Sequence, residues 1–235
     1  MSEKGKLYLI PSPLGENDPS EVIPSYVLDK IRDIRIYVVE ELKTARRYLS
    51  RAGLKGHIDE LEFHLLNEHT RQEEVDAMSG LFDSGDVGLI TEAGLPAVAD
   101  PGAALVALCH KKQIKVVPLV GPSSLMLALM GSGLNGQSFT FCGYLPAKTD
   151  ERKTAIRAIE KQSASHRQTQ IFIETPYRND SIFQDLLMNC SPSTRICIAA
   201  NITMPDEYIC THTVGEWKKS NIIIGKRPCV FLLLA

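Results

Sequence analysis

The sequence predicts an α/β protein made of two α/β domains with mixed sheets and a cleft between the domains. Short apolar strands alternate with helical segments in the first half of the chain, which is typical of a parallel sheet covered on both faces. The pattern changes near residues 139–148, where Pro146 and the polar run after it indicate a boundary. We therefore predict an N-terminal domain over residues 1–138 and a C-terminal domain over residues 139–235.

The elements of the first domain follow from apolar runs and from signals for helix ends. Pro24 is typical of a helix start and Gly53 of a helix end. Apolar runs predict strands over Lys6–Pro11, Ile36–Val39, Phe63–Leu66, Val87–Thr91 and Lys115–Leu119. Helical spacing predicts helices after Pro24 and near Thr44–Ala52, Glu73–Ser84, Ala103–Lys112 and Ser123–Met130.

The second domain reads as a mixture of helices and strands, some of them antiparallel. Helices are predicted near Glu151–Gln162 and Asp180–Met188. Strands are predicted over Gln170–Glu174, Arg195–Ala200, Ile209–Val214 and Cys229–Leu234. We expect the last two of these strands to lie close to antiparallel neighbours in this sheet.

The composition limits the classes of protein to which this chain can belong. With 44% hydrophobic and 23% charged residues in a chain of 235, the composition is that of an ordinary globular protein, and a net charge of −2 gives no polyanion-binding signature. Six cysteines occur without a CxxC pair, so we expect buried thiols in a reducing compartment and no metal site. No stretch resembles a signal peptide or approaches the ~20 apolar residues of a membrane span, so we expect a cytoplasmic protein without membrane contact.

The segment Asp86–Leu129 is the strongest candidate for a ligand site. Two apolar strands in it each run into a turn that opens a helix, and α/β proteins bind ligands at such strand ends. Asp100, before Pro101, has the chemistry to hold a ribose or an amino group, although Asp-Pro also simply shapes turns. The turn Gly121–Ser124 suits an anion at a helix start, and equally an ordinary helix cap.

Charged residues after the second strand form a second candidate. Glu40 and Glu41 end that strand, where carboxylates serve as acids and bases or form a solvated turn. Lys43, Arg47 and Arg51 recur every four residues, with Arg46 and Tyr48 beside them. This basic stripe could follow a phosphate backbone or simply face solvent. The GxGxxG and GxxxxGK[ST] motifs are absent, so dinucleotide and ATP binding lose their usual sequence support.

Six segments in a fixed order resemble one known family. They are LYLIPSPLG (7–15), VVEELKTARRYL (38–49), LITEAGLPAVADPG (89–102), VVPLVGPSSLMLALMGSGL (116–134), FCGYLPAK (141–148) and IFIETPYR (171–178). Together they resemble the tetrapyrrole methylase superfamily, the class III S-adenosylmethionine-dependent methyltransferases. Within it the chain is most similar to methyltransferases of small-subunit ribosomal RNA.

This resemblance implies a methyl donor, a partner and a set of site residues. It implies S-adenosyl-L-methionine as co-substrate, bound without metal in the interdomain cleft, and a homodimer. The donor-binding residues that it implies are Asp100, Pro101, Ala103, Ser123, Ser124, Leu125, Phe172, Ala200, Asn201 and Pro228.

Three motifs depart from the family's ribosomal RNA enzymes, and all three lie on the implied substrate side. Where those enzymes have Thr-Pro-Ile-Gly-Asn, this chain has the segment Ser12–Glu16. Where they have Glu-Asp-Thr-Arg it has Glu40–Lys43, and where they have Ser-Asp-Ala-Gly-Thr-Pro it has Thr91–Pro96. The substrate-binding candidates are Ser12, Pro13, Gly15, Lys43 and Arg46, and the candidate catalytic bases are Glu40, Glu41 and Glu92.

The sequence leaves three functions open. The first is methylation of a ribose 2′-hydroxyl in small-subunit ribosomal RNA, in which the protein mainly positions an already activated methyl group. The second is methylation of a small, tetrapyrrole-like molecule, which the altered motifs favour. The third is a donor-binding interaction module that has lost catalysis.

Overall fold

Alternating side chains in the first five strands face both sides of one parallel sheet. The computed structural model describes residues 4–235, so residues 1–3 of the predicted first domain lie outside the described part. The strands are β1 (Leu7–Leu9), β2 (Ile36–Val39), β3 (Glu62–Leu65), β4 (Val87–Ile90) and β5 (Val116–Pro118). They lie in the order β3-β2-β4-β1-β5, and every pairing is parallel.

Helices cover both faces of this sheet. They are α1 (Pro19–Val22), α2 (Ser25–Asp33), α3 (Leu42–Leu49), α4 (Gln72–Ala77) and α5 (Ala103–Lys111). Tyr37 and Val39 of β2 pack with α2 and α3 in one core. Ile36 and Val38 pack with α4 and α5 in another. A sheet that buries both faces needs continuous apolar strands, as the sequence predicted for this half.

A second sheet carries the antiparallel strands. Its elements are α6 (Ser124–Ser132), β6 (Phe139–Tyr144), α7 (Thr149–His166), β7 (Thr169–Ile173), α8 (Asn179–Asn189), β8 (Arg195–Ala200), β9 (Tyr208–Thr213), α9 (Val214–Trp217) and β10 (Cys229–Leu234). The strand order is β6-β7-β10-β8-β9, with β6 and β7 parallel and the other pairs antiparallel. The predicted α/β class with two sheets is confirmed.

The core of the second sheet is packed by three helices. Trp217 is buried edge-on against Phe183, with ring centroids 5.4 Å apart, and its Nε1–H donates to the Ile196 carbonyl at 2.9 Å. A buried ion pair joins α7 to α8, where Arg152 Nε donates to Asp185 Oδ2 at 2.6 Å. Burying both charges is tolerated because each one neutralises the other.

The chain divides into two compact units, the first ending at Ser123 and the second running over Ser124–Ala235. Helix α6 belongs to the second unit because it packs on β8, β9 and β10, where Thr211 Oγ1 donates to the Ser132 carbonyl at 2.7 Å. The predicted boundary between residues 138 and 139 stays a prediction. Over the described residues, no helix has the length and apolarity needed to cross a bilayer.

Residues 139–144 and 73–84 differ from the sequence prediction. Residues 139–144, read as part of a boundary, form strand β6. The predicted helix over Glu73–Ser84 is α4 followed by a 3₁₀ helix over Met78–Asp83. At that junction the Ser79 hydroxyl donates to the Asp76 carbonyl at 2.8 Å, a local bond that competes with regular helix geometry.

The tightest packing in the first sheet gives a stability prediction. A Cβ at Gly88 would lie 2.7 Å from Ile10 Cδ1 and 2.9 Å from Tyr37 Cε1. The Tyr37 ring cannot move easily, because its hydroxyl donates to the Ile31 carbonyl at 2.7 Å. We expect Gly88→Ala to lower the free energy of unfolding by about 1–3 kcal/mol in urea titrations. Gly80→Ala is the control, since no atom lies within 4 Å of its added Cβ. Equal stability of the two variants would contradict the prediction.

Candidate active site

The loops that carry the candidate residues emerge at the carboxyl edge of the first sheet. Strand β1 is followed by α2 on one face of the sheet, and its neighbour β4 is followed by α5 on the other face. Connections that leave adjacent parallel strands on opposite faces open a crevice at their carboxyl ends. The sequence therefore brings the loops after β1 and β4 together at a position suited to ligand binding.

A hydrogen-bonded bridge joins these two loops. The Ser12 N–H donates to the Gly94 carbonyl at 2.8 Å, and the Gly94 N–H donates back to Ser12 at 3.1 Å. The Ser12 hydroxyl also donates to the Thr91 carbonyl at 2.9 Å. Gly94 has a φ of 74° and packs beside Leu14, a conformation in which a side chain would be strained. The bridge therefore fixes both loops at the backbone level.

Beside this bridge lies a cavity of about 160 Å³. The loop after β1, the loop after β4 and helix α3 line it with Ser12, Pro13, Leu14, Gly15, Glu16, Pro19, Thr44, Arg47, Tyr48, Arg51, Glu92 and Ala93. The structure thus brings together three predicted substrate-binding residues and one predicted base. Sequence reasoning did not select Glu16, Arg47 and Arg51 for the site, although the spacing of the two arginines was visible.

Carboxylates from two strand ends meet at this edge. The Glu92 N–H donates to Glu40 Oε2 at 3.2 Å. Burial, with the nearby charges of Glu40 and Glu41, raises the pKa of Glu92, while a hydrogen bond with the Thr44 side chain and, last, the charge of Arg47 oppose that rise. Burial raises the pKa of Asp100 to about 6, with further contributions from Glu40 and Glu92. Both carboxyls are therefore harder to ionise than in water, first because of burial and then because carboxylates lie near one another.

Glu41 has a structural task in this arrangement. Its Oε2 accepts the Thr44 N–H at 2.5 Å and the Thr44 hydroxyl at 2.7 Å, which caps the start of α3. These bonds, first of all the one from the Thr44 backbone, lower the pKa of Glu41. A carboxylate held ionised by a helix cap is a weaker base than its neighbour Glu92.

The basic residues of α3 separate into two groups. Arg46 pairs with Asp59 and lies over the Phe63 ring, with its guanidinium carbon 5.8 Å from the ring centroid. Arg47 and Arg51 line the cavity instead. Lys43 lies in the exposed first turn of α3. Arg47 and Arg51 therefore line the cavity, and the predicted Arg46 does not.

The turn that contains Asp100 is held in an unusual backbone conformation. Ala97 and Ala99 have φ values of 64° and 62°, which L residues rarely adopt, and the Ala97 N–H donates to the Pro101 carbonyl at 3.3 Å. Half-buried Asp100 sits within this turn, and Ala103 begins α5. Strained turns of this kind concentrate at ligand sites.

The loop after β5 packs equally closely. A Cβ at Gly121 would lie 2.1 Å from Pro11 Cβ, so only glycine allows this loop to approach the loop after β1. Ser123 ends the first unit. Ser124 and the buried Leu125 begin α6 in the second unit.

In the second unit, the remaining donor-binding candidates lie at or near strand ends. The side chain of Phe172 is buried and stacks on Phe231, with ring centroids 5.6 Å apart. The register between β6 and β7 is irregular between Phe141 and Tyr144, opposite Phe172, and such bulges are common beside active sites. Ala200 pairs with Cys229, and the Asn201 N–H donates to the Pro228 carbonyl at 2.9 Å.

The fold is that of a methyltransferase family. Residues 23–218 match the Tetrapyrrole (Corrin/Porphyrin) Methylases, so the chain belongs to this family, and the resemblance drawn from its six motifs is confirmed. Methyl transfer is thereby established as the class of reaction. Among the described residues, no three His, Cys, Asp or Glu side chains are grouped as metal ligands.

The chain is similar to particular members named for ribosomal RNA. A Vibrio cholerae protein named ribosomal RNA small subunit methyltransferase I is 31% identical, over 86% of this chain and 67% of the relative. The protein of the same name from Escherichia coli O157:H7 is 28% identical, over 94% of this chain and 74% of the relative.

Solved structures share the fold at lower identity. Uroporphyrin-III C-methyltransferase from Thermus thermophilus, complexed with S-adenyl homocysteine, aligns with a TM-score of 0.59 at 16% identity, covering 98% of this chain and 97% of that one. The methyltransferase CobJ aligns with a TM-score of 0.62 at 14% identity, covering 98% of this chain and 94% of that one.

The raised pKa of Asp100 makes stability depend on pH. In the unfolded chain this carboxyl has its ordinary pKa of 3.8, and in the folded protein its pKa is about 6. Its ionisation is therefore disfavoured by folding, and its contribution to stability falls as pH rises through this window. We expect Asp100→Asn to gain stability relative to wild type between about pH 4 and about pH 7 in urea titrations. If the free energy of unfolding changed with pH in the same way for both proteins, the prediction would be wrong.

Proposed function

We propose that this protein transfers a methyl group from S-adenosylmethionine to a ribose 2′-hydroxyl of small-subunit ribosomal RNA. The observation that carries the proposal is a carboxylate with a raised pKa, Glu92, on the wall of a cavity that two arginines also line. A hydroxyl acceptor needs a base, and an RNA acceptor needs cations near that base. The relatives named for small-subunit ribosomal RNA support the same substrate.

The carboxyl edge has the chemistry to hold the donor. When bound, S-adenosylmethionine supplies an activated methyl group on a positively charged sulfonium. Asp100 would accept hydrogen bonds from hydroxyl or amino groups, with Pro101 and Ala103 shaping its turn. The negative potential around Glu40, Glu92 and Asp100 favours a cationic ligand over a neutral one.

Further donor contacts are proposed from the other strand ends. In the first unit, Ser123 would contribute from the loop after β5. In the second unit, the groups that contact the donor would be backbone groups or small side chains, because Phe172 is buried in the core of that unit. The proposed residues there are Ser124, Leu125, Phe172, Ala200, Asn201 and Pro228.

Among the candidate bases, Glu92 is favoured. Its pKa is raised towards the operating pH, and it lines the cavity, whereas the carboxylate of Glu41 is occupied in capping α3. Glu40 would orient the Glu92 loop by accepting the Glu92 N–H. In this scheme Glu92 takes the proton of the attacking hydroxyl while the methyl group moves in line from sulfur to oxygen. The protein contributes mainly position, because the donor is already activated.

Glu92→Gln tests this assignment, since it keeps the size of the side chain and removes the base. We expect the turnover number on isolated small ribosomal subunits to fall by about 10²–10⁴-fold, with binding of the donor retained. Glu41→Gln is the matched variant, and its loss should be much smaller. Transfer of tritium from labelled S-adenosylmethionine to RNA gives the rate. Full turnover by Glu92→Gln would exclude Glu92 as the base.

The substrate is tested separately from the base. Mass spectrometry of small-subunit ribosomal RNA from cells with and without the gene should show one ribose methylation that depends on it. An unchanged methylation map, with transfer only to small molecules of a cell extract, would favour a small-molecule methyltransferase. Donor binding without transfer to either would favour an inactive module.

Two expectations from the sequence stay predictions. The homodimer is one, and light scattering of the purified protein would measure its mass directly. The cytoplasmic location is the other, and it accords with an acceptor in the small ribosomal subunit.

A further inference from the structure

A carboxylate bridges the two arginines of the cavity. Glu16 Oε1 accepts from Arg47 Nη2 at 2.7 Å, and Glu16 Oε2 lies 3.6 Å from Arg51 Nη1. Arg47 and Arg51 are four residues apart, on α3 and on the turn that continues it, so both point to the same side. Glu16 reaches them from the loop after β1, far away in sequence.

The two guanidinium groups are held differently. Arg51 Nη2 donates to the carbonyls of Asn17 at 2.7 Å and Glu16 at 3.2 Å, so backbone groups fix its position. Arg47 donates a hydrogen bond from its side chain to Glu16, and that side chain is 63% exposed. Glu16 itself is 69% exposed. Ion pairs this open to water contribute little stability, so another anion can replace the carboxylate at small cost.

A phosphate group is the anion that this geometry suits. Guanidinium groups bind carboxylate and phosphate oxygens through the same paired N–H donors. The cavity also contains Ser12 and Glu92, so an anion held by the arginines would lie beside the proposed base. Without such cations, the carboxylates of this edge would repel an RNA strand.

We propose that Arg47 and Arg51 form a binding subsite for a backbone phosphate of the RNA that is methylated, and that the Glu16 carboxylate occupies this subsite when RNA is absent. This inference rests on the proposed function for the identity of the RNA as substrate. Glu16 then acts as a competitor built into the chain: a strand binds only when its phosphate displaces that carboxylate. Glu16 thereby sets the affinity of the site for RNA.

The test measures binding of a labelled oligouridylate, which presents phosphates without a particular sequence, by fluorescence anisotropy at several salt concentrations. We expect Arg47→Gln to weaken binding about tenfold and to reduce the slope of log affinity against log salt by about 0.7, the value for one phosphate contact on a single strand. Glu16→Gln should strengthen binding by about 1.5–5-fold, the equivalent of one exposed ion pair. In the Arg47→Gln background, Glu16→Gln should have little effect.

Arg32→Gln is the matched control. Arg32 also pairs with a carboxylate, Asp29, at 2.6 Å and is 50% exposed, but it lies in the last turn of α2 and does not line the cavity. The Arg32→Gln variant should bind RNA with the wild-type slope of log affinity against log salt. Unchanged affinity and slope for Arg47→Gln, or an equal gain from Glu16→Gln in both backgrounds, would overturn the inference. Displacement of the RNA by inorganic phosphate at equal phosphate concentration would overturn the assignment to a strand.

Methyl transfer to small ribosomal subunits, measured in parallel, separates this inference from the proposed function. If wild type transfers methyl groups to ribosomal RNA and the Arg47 and Glu16 variants bind RNA normally, only the subsite is wrong. If the variants change RNA binding as expected and wild type methylates no ribosomal RNA, the phosphate subsite stands and the proposed substrate is wrong.

Discussion

The geometry of the site depends on the pair of backbone hydrogen bonds between Ser12 and Gly94. Strands β1 and β4 are neighbours whose chains continue on opposite faces of the sheet, so their loops would otherwise diverge. The bridge holds the two loops together just beyond the sheet. It places Glu92 on one wall of the cavity and Gly15 and Glu16 on the other. Because the constraint acts through the backbone, side chains around it can change without loss of the loop positions.

This constraint explains why the three motifs that depart from the ribosomal RNA enzymes belong together. Ser12–Glu16, Glu40–Lys43 and Thr91–Pro96 are far apart in sequence, yet two of these segments line the cavity and the third contacts one of them through Glu40 and Glu92. The Asp100 turn and the turn near Ser123 match the family pattern better. A set of changes confined to one cavity is what adjustment of the acceptor side would produce. The departures are therefore compatible with retained methyl transfer.

Much of the fold could be predicted from the sequence, and the limits have physical causes. Strands β2, β8 and β10 have the predicted bounds, because each is a continuous apolar run buried in a sheet. Strand β6 was missed because it is only partly buried and its pairing with β7 is irregular beyond Phe141. Local patterns predict elements that bury a full face, and they are weak for edge strands.

The site was predictable to a smaller extent. The strand-end position of Glu92 and Asp100 could be read from apolar runs followed by turns. The roles of the arginines could not be predicted, because helical spacing shows which residues share a face of α3 but not which other residues contact that face. Arg46 pairs with Asp59, while Arg47 pairs with Glu16, which is 31 positions away in the sequence. Likewise, Glu41 is identified as a helix cap only when Thr44 is seen to donate to it.

Arg47 links the acceptor-binding and catalytic parts of the proposed site. Its positive charge lowers the pKa of Glu92, against the effects of burial and of the neighbouring carboxylates. A phosphate that displaces Glu16 from Arg47 exchanges one anion for another, so the charge near Glu92 changes little. In the proposed complex, Arg47 therefore holds the strand beside Glu92, and Glu92 keeps the raised pKa that suits it as a base.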